Sequence, residues 1–379
     1  MINKKLSAVL VALLAAASAL VPFGAAQAAY RFSDFQGKPP VHVYKSAQST
    51  PSGVTPAEIK KIYDLPAIGG KGTIALIDAY DDANMESDLA AFDKQFNLPA
   101  CTTANGCFEK HKMATSTASN SGWAMETSLD VEWAHAIAPG AKILLVEAKT
   151  PSGANLLSAI DYATSRKDVV AVSMSWGGAE FSDELSYDTH FVSKTSSSIA
   201  FFASSGDDGT GASWPASSPN VIGVGGTSLQ LASSGTLIAE SAWSGSGGGV
   251  SAYEKEPAYQ TAYKISKANG MRAIPDVSYN ADPASGYPVY LTTGTGSKAK
   301  GAWDEVGGTS AGAPQWAAIQ ALGSSTVLAK FYTDKASTST LKYFRDITSG
   351  SNGTCQYYCS ARKRYDYVTG LGSPQTTKF

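Results

Sequence analysis

Histidine is nearly missing from this chain. Of 379 residues, only His42, His111, His135 and His190 carry an imidazole. A nucleophilic serine beyond residue 190 therefore has no histidine base following it in the chain. Charge is also sparse: Asp, Glu, Lys and Arg make up 16% of the residues, against roughly 25% in an average globular domain. The formal net charge of −2 excludes a broad basic face for nucleic acid or anionic lipid. Beyond the N-terminus, no apolar run approaches the ~20 residues of a membrane span. Cysteine is limited to Cys101, Cys107, Cys355 and Cys359. An even number and close spacing favour two local disulfides, Cys101–Cys107 and Cys355–Cys359. Neither pair has the CxxC spacing of a four-cysteine zinc site.

The chain opens with "MINKK", an apolar stretch and "GAAQA". This is the pattern of a secretory signal peptide over residues 1–28, cleaved after Ala28, which predicts an exported protein. Residues 29–54 are polar and turn-rich and read as an extended arm or linker. From 55 to 379 the pattern is that of one large domain, expected to be a monomer. "TPAEIKKIYDL" (55–65) opens a short helix. "TIALIDA", "KILLVEA", "VVAVSMSW", "IAFFASS" and "NVIGVGG" read as strands buried on both faces. Helical patterns lie between them at 85–96, 122–138, 154–166 and 183–194. The alternation predicts an α/β fold with a mostly parallel sheet covered by helices. From 227 to 306 the pattern loosens into loops and short antiparallel strands.

"GGTSAGAPQWAAIQAL" (307–322) places Ser310 where a helix begins. "GTSAG" also fits the nucleophile elbow of α/β-hydrolases, but that arrangement needs a later histidine. An Asp…His…Ser order would make Asp78 the acid, yet His111 and His135 read as surface or structural residues. A third base lies in "METSLDVEWAHAIAPGA" (125–141). Glu126 and Asp130 are four apart and share one helix face. That stripe continues through Trp133, Ala134 and Ile137, while the polar stripe runs through Ser128, Glu132 and His135. The two carboxyls therefore point inward, where desolvation and mutual repulsion raise their pKa values. A carboxylate so placed can act as a general base for the serine.

"GGTSAGAP", "METSLDVEWAHAIAPGA" and "FASSGDDG", in this order, resemble the sedolisins, the serine-carboxyl peptidases, over roughly residues 55–376. The resemblance implies a subtilisin-like three-layer fold and a secreted peptidase acting on proteins or peptides at acid pH. It implies Ser310 as nucleophile, Glu126 as general base, Asp130 as its support and Asp78 as a further acid behind them. Asp207 takes the place of the oxyanion-hole acid, with the Ser310 N–H as second donor. "SMSWGG" implies a strand end, Ser175–Trp176–Gly177, that pairs with substrate backbone. A structural calcium is implied at Asp346 and Asp366, with the carbonyls of Ile347 and Arg364. Two departures stand out. Only residues 29–54 occupy the place of the large folded prosegment usual in sedolisins. Before Asp366 the chain reads "SARKRYD", where the family has glycines, which predicts a calcium site weakened or partly replaced by an arginine and the Cys355–Cys359 clip. The competing readings are a subtilisin-type neutral protease and a catalytically silent binding protein on the same fold.

Overall fold

Apolar runs form strands because extended chain buried on both faces needs no polar side. The computed structural model describes residues 30–115, 118–195, 198–294, 296–323, 328–333 and 343–375. The expected signal peptide, 1–28, lies outside the described residues. In chain order the main strands are β1 (His42–Gln48), β2 (Thr73–Ala79), β3 (Phe108–Lys112), β4 (Lys142–Ala148), β5 (Val169–Met174), β6 (Ala200–Ser204), β7 (Ile222–Leu231), β8 (Leu237–Ala242), β9 (Val277–Asn280), β10 (Tyr287–Thr293) and β11 (Lys300–Gly307). Eight of them make the central sheet in the order β8-β7-β6-β5-β2-β4-β3, with β9 also paired to β7. Every pairing is parallel except that of β8 with β7.

The helices are α1 (Pro56–Ile62), α2 (Met85–Phe96), α3 (Ser121–Ile137), α4 (Gly153–Ser165) and α5 (Gly312–Ala321). Thr55 and Glu58 form a capping box around Pro56 at the start of α1, satisfying otherwise orphaned N–H groups. The Asn120 side chain caps α3 by accepting from the N–H groups of Gly122 and Trp123. Side chains of β2 alternate between the faces of the sheet. Ile74 and Leu76 join a core with α3 and α5, and Ala75 and Ile77 join one with α4. This is the expected three-layer, subtilisin-like α/β arrangement. Both expected disulfides are formed. Among the described residues no helix is long and apolar enough to cross a membrane.

Of the two readings of residues 29–54, extended arm or linker, the arm fits: β1 pairs antiparallel with β11, which also pairs with β10, in a second sheet. Several expectations are corrected. The stretch expected to be helical at 183–194 holds only a 3₁₀ turn, Glu184–His190. There the Glu184 carboxylate accepts from the Phe181 N–H, a local bond that competes with helix formation. The face of α3 expected to be wet is buried throughout: Ser128, Glu132 and His135 are each 0% exposed. The reason is its position between α2, α5 and β10. Glu132 accepts from the Tyr290 N–H on β10, and a ring nitrogen of His135 bonds the Pro99 carbonyl. In the loosened region, β9 returns to extend the parallel sheet.

A buried ion pair pins the return strands. Arg272 and Asp276 are both fully enclosed and joined at 2.6 Å. The Gly223 N–H and the Tyr332 hydroxyl also donate to Asp276. Asp276→Ala would strand the guanidinium in the core and is expected to cost about 3–5 kcal/mol of stability. Urea unfolding of the folded fraction measures this; a loss below about 1 kcal/mol would show that the pair bears no such burden.

Candidate active site

The carboxyl ends of the parallel strands meet the start of α5 at one edge of the sheet, the usual site of chemistry in such folds. Asp78 comes from the end of β2, Ser175 follows β5 and Asp207 follows β6. Ser310 lies in the 3₁₀ turn Thr309–Ala311 that leads into α5. Glu126 and Asp130 face them from α3. Asp78, Glu126, Asp130, Ser175 and Ser310 are all 0% exposed.

Glu126 lies near Ser310 and Asp130, close enough for both to influence its pKa, and both its carboxyl oxygens are buried without a hydrogen-bond partner. Burial, more than any neighbour, drives both pKa values far up, and the charge of Asp78 adds to it. Asp130 is held by Ser175, whose hydroxyl donates to Oδ1 at 2.7 Å and lies 3.1 Å from the Ser310 carbonyl oxygen. Asp78 lies opposite Glu147 across β2 and β4. Burial, then the charges of Glu147 and Asp82, push it up to about 8. Burial likewise raises Glu147 to about 7 and Asp82 to about 6. A chain of protonatable acids thus runs outward from the serine, with the Asp82 N–H donating to Glu147.

Asp207, which a Gly-Asp-Asp-Gly turn alone would leave on the surface, is drawn inward. Its Oδ1 accepts from the Thr309 N–H at 2.8 Å and the Thr309 hydroxyl at 2.7 Å. Its Oδ2 lies 3.1 Å from His42 Nε2. Burial raises its pKa, against the opposing pull of His42 and Thr309. The other histidines are engaged away from Ser310: His111 stacks on Tyr162, His135 bonds the Pro99 carbonyl and His190 bonds Asp161.

The three residues expected to bind substrate divide into two kinds. Ser175 and Trp176 turn into the interior, where Trp176 donates to the Ile77 carbonyl. Gly177 alone presents its N–H and carbonyl to the cleft, and both are paired with Lys38. The Ser310 hydroxyl donates to the Pro40 carbonyl at 3.0 Å. His42 and Pro40 were not foreseen as site residues. The available signal was "KPP", since consecutive prolines keep a chain extended as a bound peptide must be.

The four residues expected to hold calcium do converge, but with the wrong atoms. Both oxygens of Asp346 accept from the Arg364 N–H, so the amide and not the carbonyl of Arg364 meets this carboxylate. Asp366 accepts from the N–H groups of Val368 and Thr369 on one oxygen. The Arg362 N–H and the Thr369 hydroxyl fill the other. A carboxylate has about four acceptor sites, and those of Asp366 are taken. Ile347 is buried. Calcium needs six to eight free oxygens, and this donor set does not fit it.

The fold and site define a subtilisin-like scaffold with carboxyls beside its serine. The profile of the subtilase family matches residues 111–343. Sedolisin of Pseudomonas sp. (strain 101) is 28% identical over 88% of this chain and 61% of its own length. Kumamolisin of Bacillus sp. (strain MN-32) is 30% identical over 87% of this chain and 63% of its own length. The solved structure of Pseudomonas sedolisin, a serine-carboxyl proteinase complexed with pseudo-iodotyrostatin, superimposes with a TM-score of 0.71 at 27% identity. It covers 86% of this chain and 96% of that one. The chain belongs to the subtilase family, in its sedolisin branch. It spans about three-fifths of the length of these two curated relatives.

Folding with so many buried acids has a thermal signature. A carboxyl whose pKa is raised in the folded state favours folding while protonated, and that advantage is lost as pH rises through the folded value. For Asp82, Glu147 and Asp78 these values are about 6, 7 and 8. His135, lowered to about 4 by burial, works in the opposite sense between about pH 4 and pH 6.5 and offsets part of the decline there. The melting temperature is therefore expected to fall from about pH 5 to about pH 8. Calorimetry across that range that showed no decline would contradict the buried acid chain.

Proposed function

We propose that this protein is a serine-carboxyl endopeptidase, exported and active at acid pH on proteins or peptides. The observation that carries the reading is Glu126, fully buried, beside Ser310 and Asp130 with both its carboxyl oxygens free of other partners. Glu126 in its ionised form takes the Ser310 proton as Oγ adds to the peptide carbonyl. Asp130, fixed by Ser175, keeps Glu126 oriented and shares the proton. The oxyanion accepts from the Ser310 N–H and from Asp207, which donates only when protonated. Glu126 then returns the proton to the leaving amine, and water resolves the acyl-enzyme by the same route. Asp78 is a reserve acid behind the pair. Imidazole would be protonated in acid and useless as a base there, which disfavours the neutral, histidine-dependent alternative.

Casein cleavage should rise as pH falls from about 7 to about 4, vanish in Ser310→Ala and drop at least 100-fold in Glu126→Gln, roughly the scale of general base loss. Asp207→Asn should lose roughly 10²–10³ in rate together with the steep acid dependence. A flat profile between these pH values, or undiminished activity in Ser310→Ala, would remove the proposal. A protein that also fails to take a fluorophosphonate label at Ser310 would instead support the silent binding reading.

We also infer that the C-terminal segment folds without resident calcium. Hydrogen bonds from backbone N–H groups to Asp346 and Asp366, and the Cys355–Cys359 bridge, supply the tie that a cation would provide. The arginine contribution expected from the sequence comes through the Arg364 amide. Incubation with EDTA should leave the melting temperature within about 1 °C, because no bound ion is withdrawn. One tightly held calcium per purified chain would refute the inference.

A further inference from the structure

Beside the segment expected to hold calcium lies a cavity of a different character. It has a volume of about 390 Å³ and opens between the short helix Ala258–Tyr263, with the residues that follow it, and the stretch Tyr357–Tyr365. That size falls within the range of pockets that take small organic molecules. Its two walls are tied together. The Tyr367 hydroxyl donates to the Ser266 carbonyl at 2.8 Å, and the Tyr358 hydroxyl donates to the Lys267 carbonyl at 3.2 Å. Ile265 and Ala268 on one wall and Tyr365 on the other belong to the main core, so neither wall is a free loop. The Cys355–Cys359 bridge closes the turn that carries Tyr357 and Tyr358.

The lining is of two kinds. Lys264, Lys363 and Arg364 bring positive charge, and Tyr263, Tyr357 and Tyr365 bring ring surface. Among the described residues no carboxylate lines the cavity. Two further cations stand beside it. Lys267 Nζ lies 4.0 Å from the centre of the Tyr357 ring, and the Arg362 guanidinium carbon lies 4.4 Å from the same centre. Among the described residues none of these five cations is ion-paired with a carboxylate. The acids of the segment are already engaged. Asp346 takes the Arg364 N–H on both oxygens, which uses the amide and leaves the guanidinium uncommitted. Asp366 accepts from donors on its own turn.

Clustered cations elsewhere in the chain are treated differently. Lys110 and Lys112 are as close in sequence, and they share the carboxylate of Asp81. Crowded cations without a counter-charge repel one another, and a bound anion removes that repulsion. The mixture of groups narrows the anion. An arginine fork matches an oxyanion with two parallel hydrogen bonds, and each lysine adds a point charge. A carboxylate offers two oxygens to these groups, whereas a sulfate or phosphate monoester offers three. The rings beside them suit an apolar or aromatic body attached to that oxyanion.

We propose that this cavity binds a sulfate or phosphate monoester of an aromatic or apolar alcohol. Its oxyanion is held by Lys264, Lys363 and Arg364, and its organic part lies against Tyr263 and Tyr357. The cavity shares no lining residue with the cleft at Asp207, so the proposal does not rest on the reading of Ser310. The ligand is held and not transformed: no bond is made or broken. A ligand bound only by the folded chain stabilises it by mass action, and this one would do so across the two tied walls.

The test titrates the full chain by calorimetry with phenyl sulfate and phenyl phosphate, and in parallel with inorganic phosphate and with phenol. The expected result is one saturable site per chain for an ester, with inorganic phosphate and phenol each at least about tenfold weaker. Added sodium chloride should weaken the ester and leave phenol unchanged. Lys363→Gln and Lys264→Asn should each weaken the ester about tenfold. Asparagine suits the second position because Lys264 sits at φ 66°, in the left-handed region that asparagine tolerates. Both lysines are exposed, so each variant should melt with the wild type when no ligand is present. Where only one ester binds, the proposal stands with that anion. The absence of saturable binding by either ester overturns it. So do equal affinities for an ester and inorganic phosphate, or affinities that neither substitution changes. A short polyglutamate peptide that displaces the esters and binds more tightly than they do also overturns it, and makes this face a docking surface for acidic protein.

Discussion

Everything at the serine edge depends on carboxyl groups that water does not reach. Glu126 and Asp130 are enclosed on α3, and removing a carboxylate from water costs enough to force a proton onto it unless partners compensate. The partners here are few. Ser175 gives Asp130 one hydrogen bond, and a second bond between the two acids exists only if one is protonated. The helix carrying them must therefore be held by packing on all sides, and it is. Trp133, Leu129, Val131 and Ile137 are as enclosed as the acids between them. The burial that raises the Glu126 pKa also ties the fold to acid conditions, because the folded state keeps the proton to higher pH.

The spacing of Glu126 and Asp130 and the apolar residues on their side of the helix made the inward pair legible in the sequence. So did the alternation of buried strands with helices. What periodicity missed is instructive. It assigned Ser128, Glu132 and His135 to solvent because a surface helix has a polar face. A central helix can instead bury polar residues against specific partners, and nothing in the helix itself reveals that β10 offers the Tyr290 N–H to Glu132. The inward placement of Asp207 was equally hidden. A local turn explains the residues on either side of it, and only the approach of Thr309, about a hundred positions away in the chain, makes it part of the site.

Near the C-terminus the same two aspartates illustrate how residue type underdetermines role. Asp366 accepts from four donors within a few residues of itself. An aspartate used this way shapes a turn, much as a cation would, by drawing nearby backbone toward one centre. Arg364 adopts the left-handed region with φ 70°, where glycine would be unstrained. That conformation turns its N–H toward Asp346. The chain thus meets the geometric demand with amides, beside arginine and lysine side chains that would repel an ion.

The N-terminal segment then changes how the missing histidine is understood. The sequence suggested an enzyme that had dispensed with imidazole because it works where imidazole is charged. One histidine nonetheless reaches the site, 3.1 Å from the oxyanion acid, and it is the charged form that has a use there. A cation facing Asp207 opposes the rise in pKa that burial imposes on that carboxyl, and so favours the ionised state, in which it cannot donate a hydrogen bond. His42 opens β1 and lies opposite Gly307 of β11, so the second sheet holds that counter-charge in place. The carboxyls gather around Ser310, and the one histidine that reaches them stands on the other side, against Asp207.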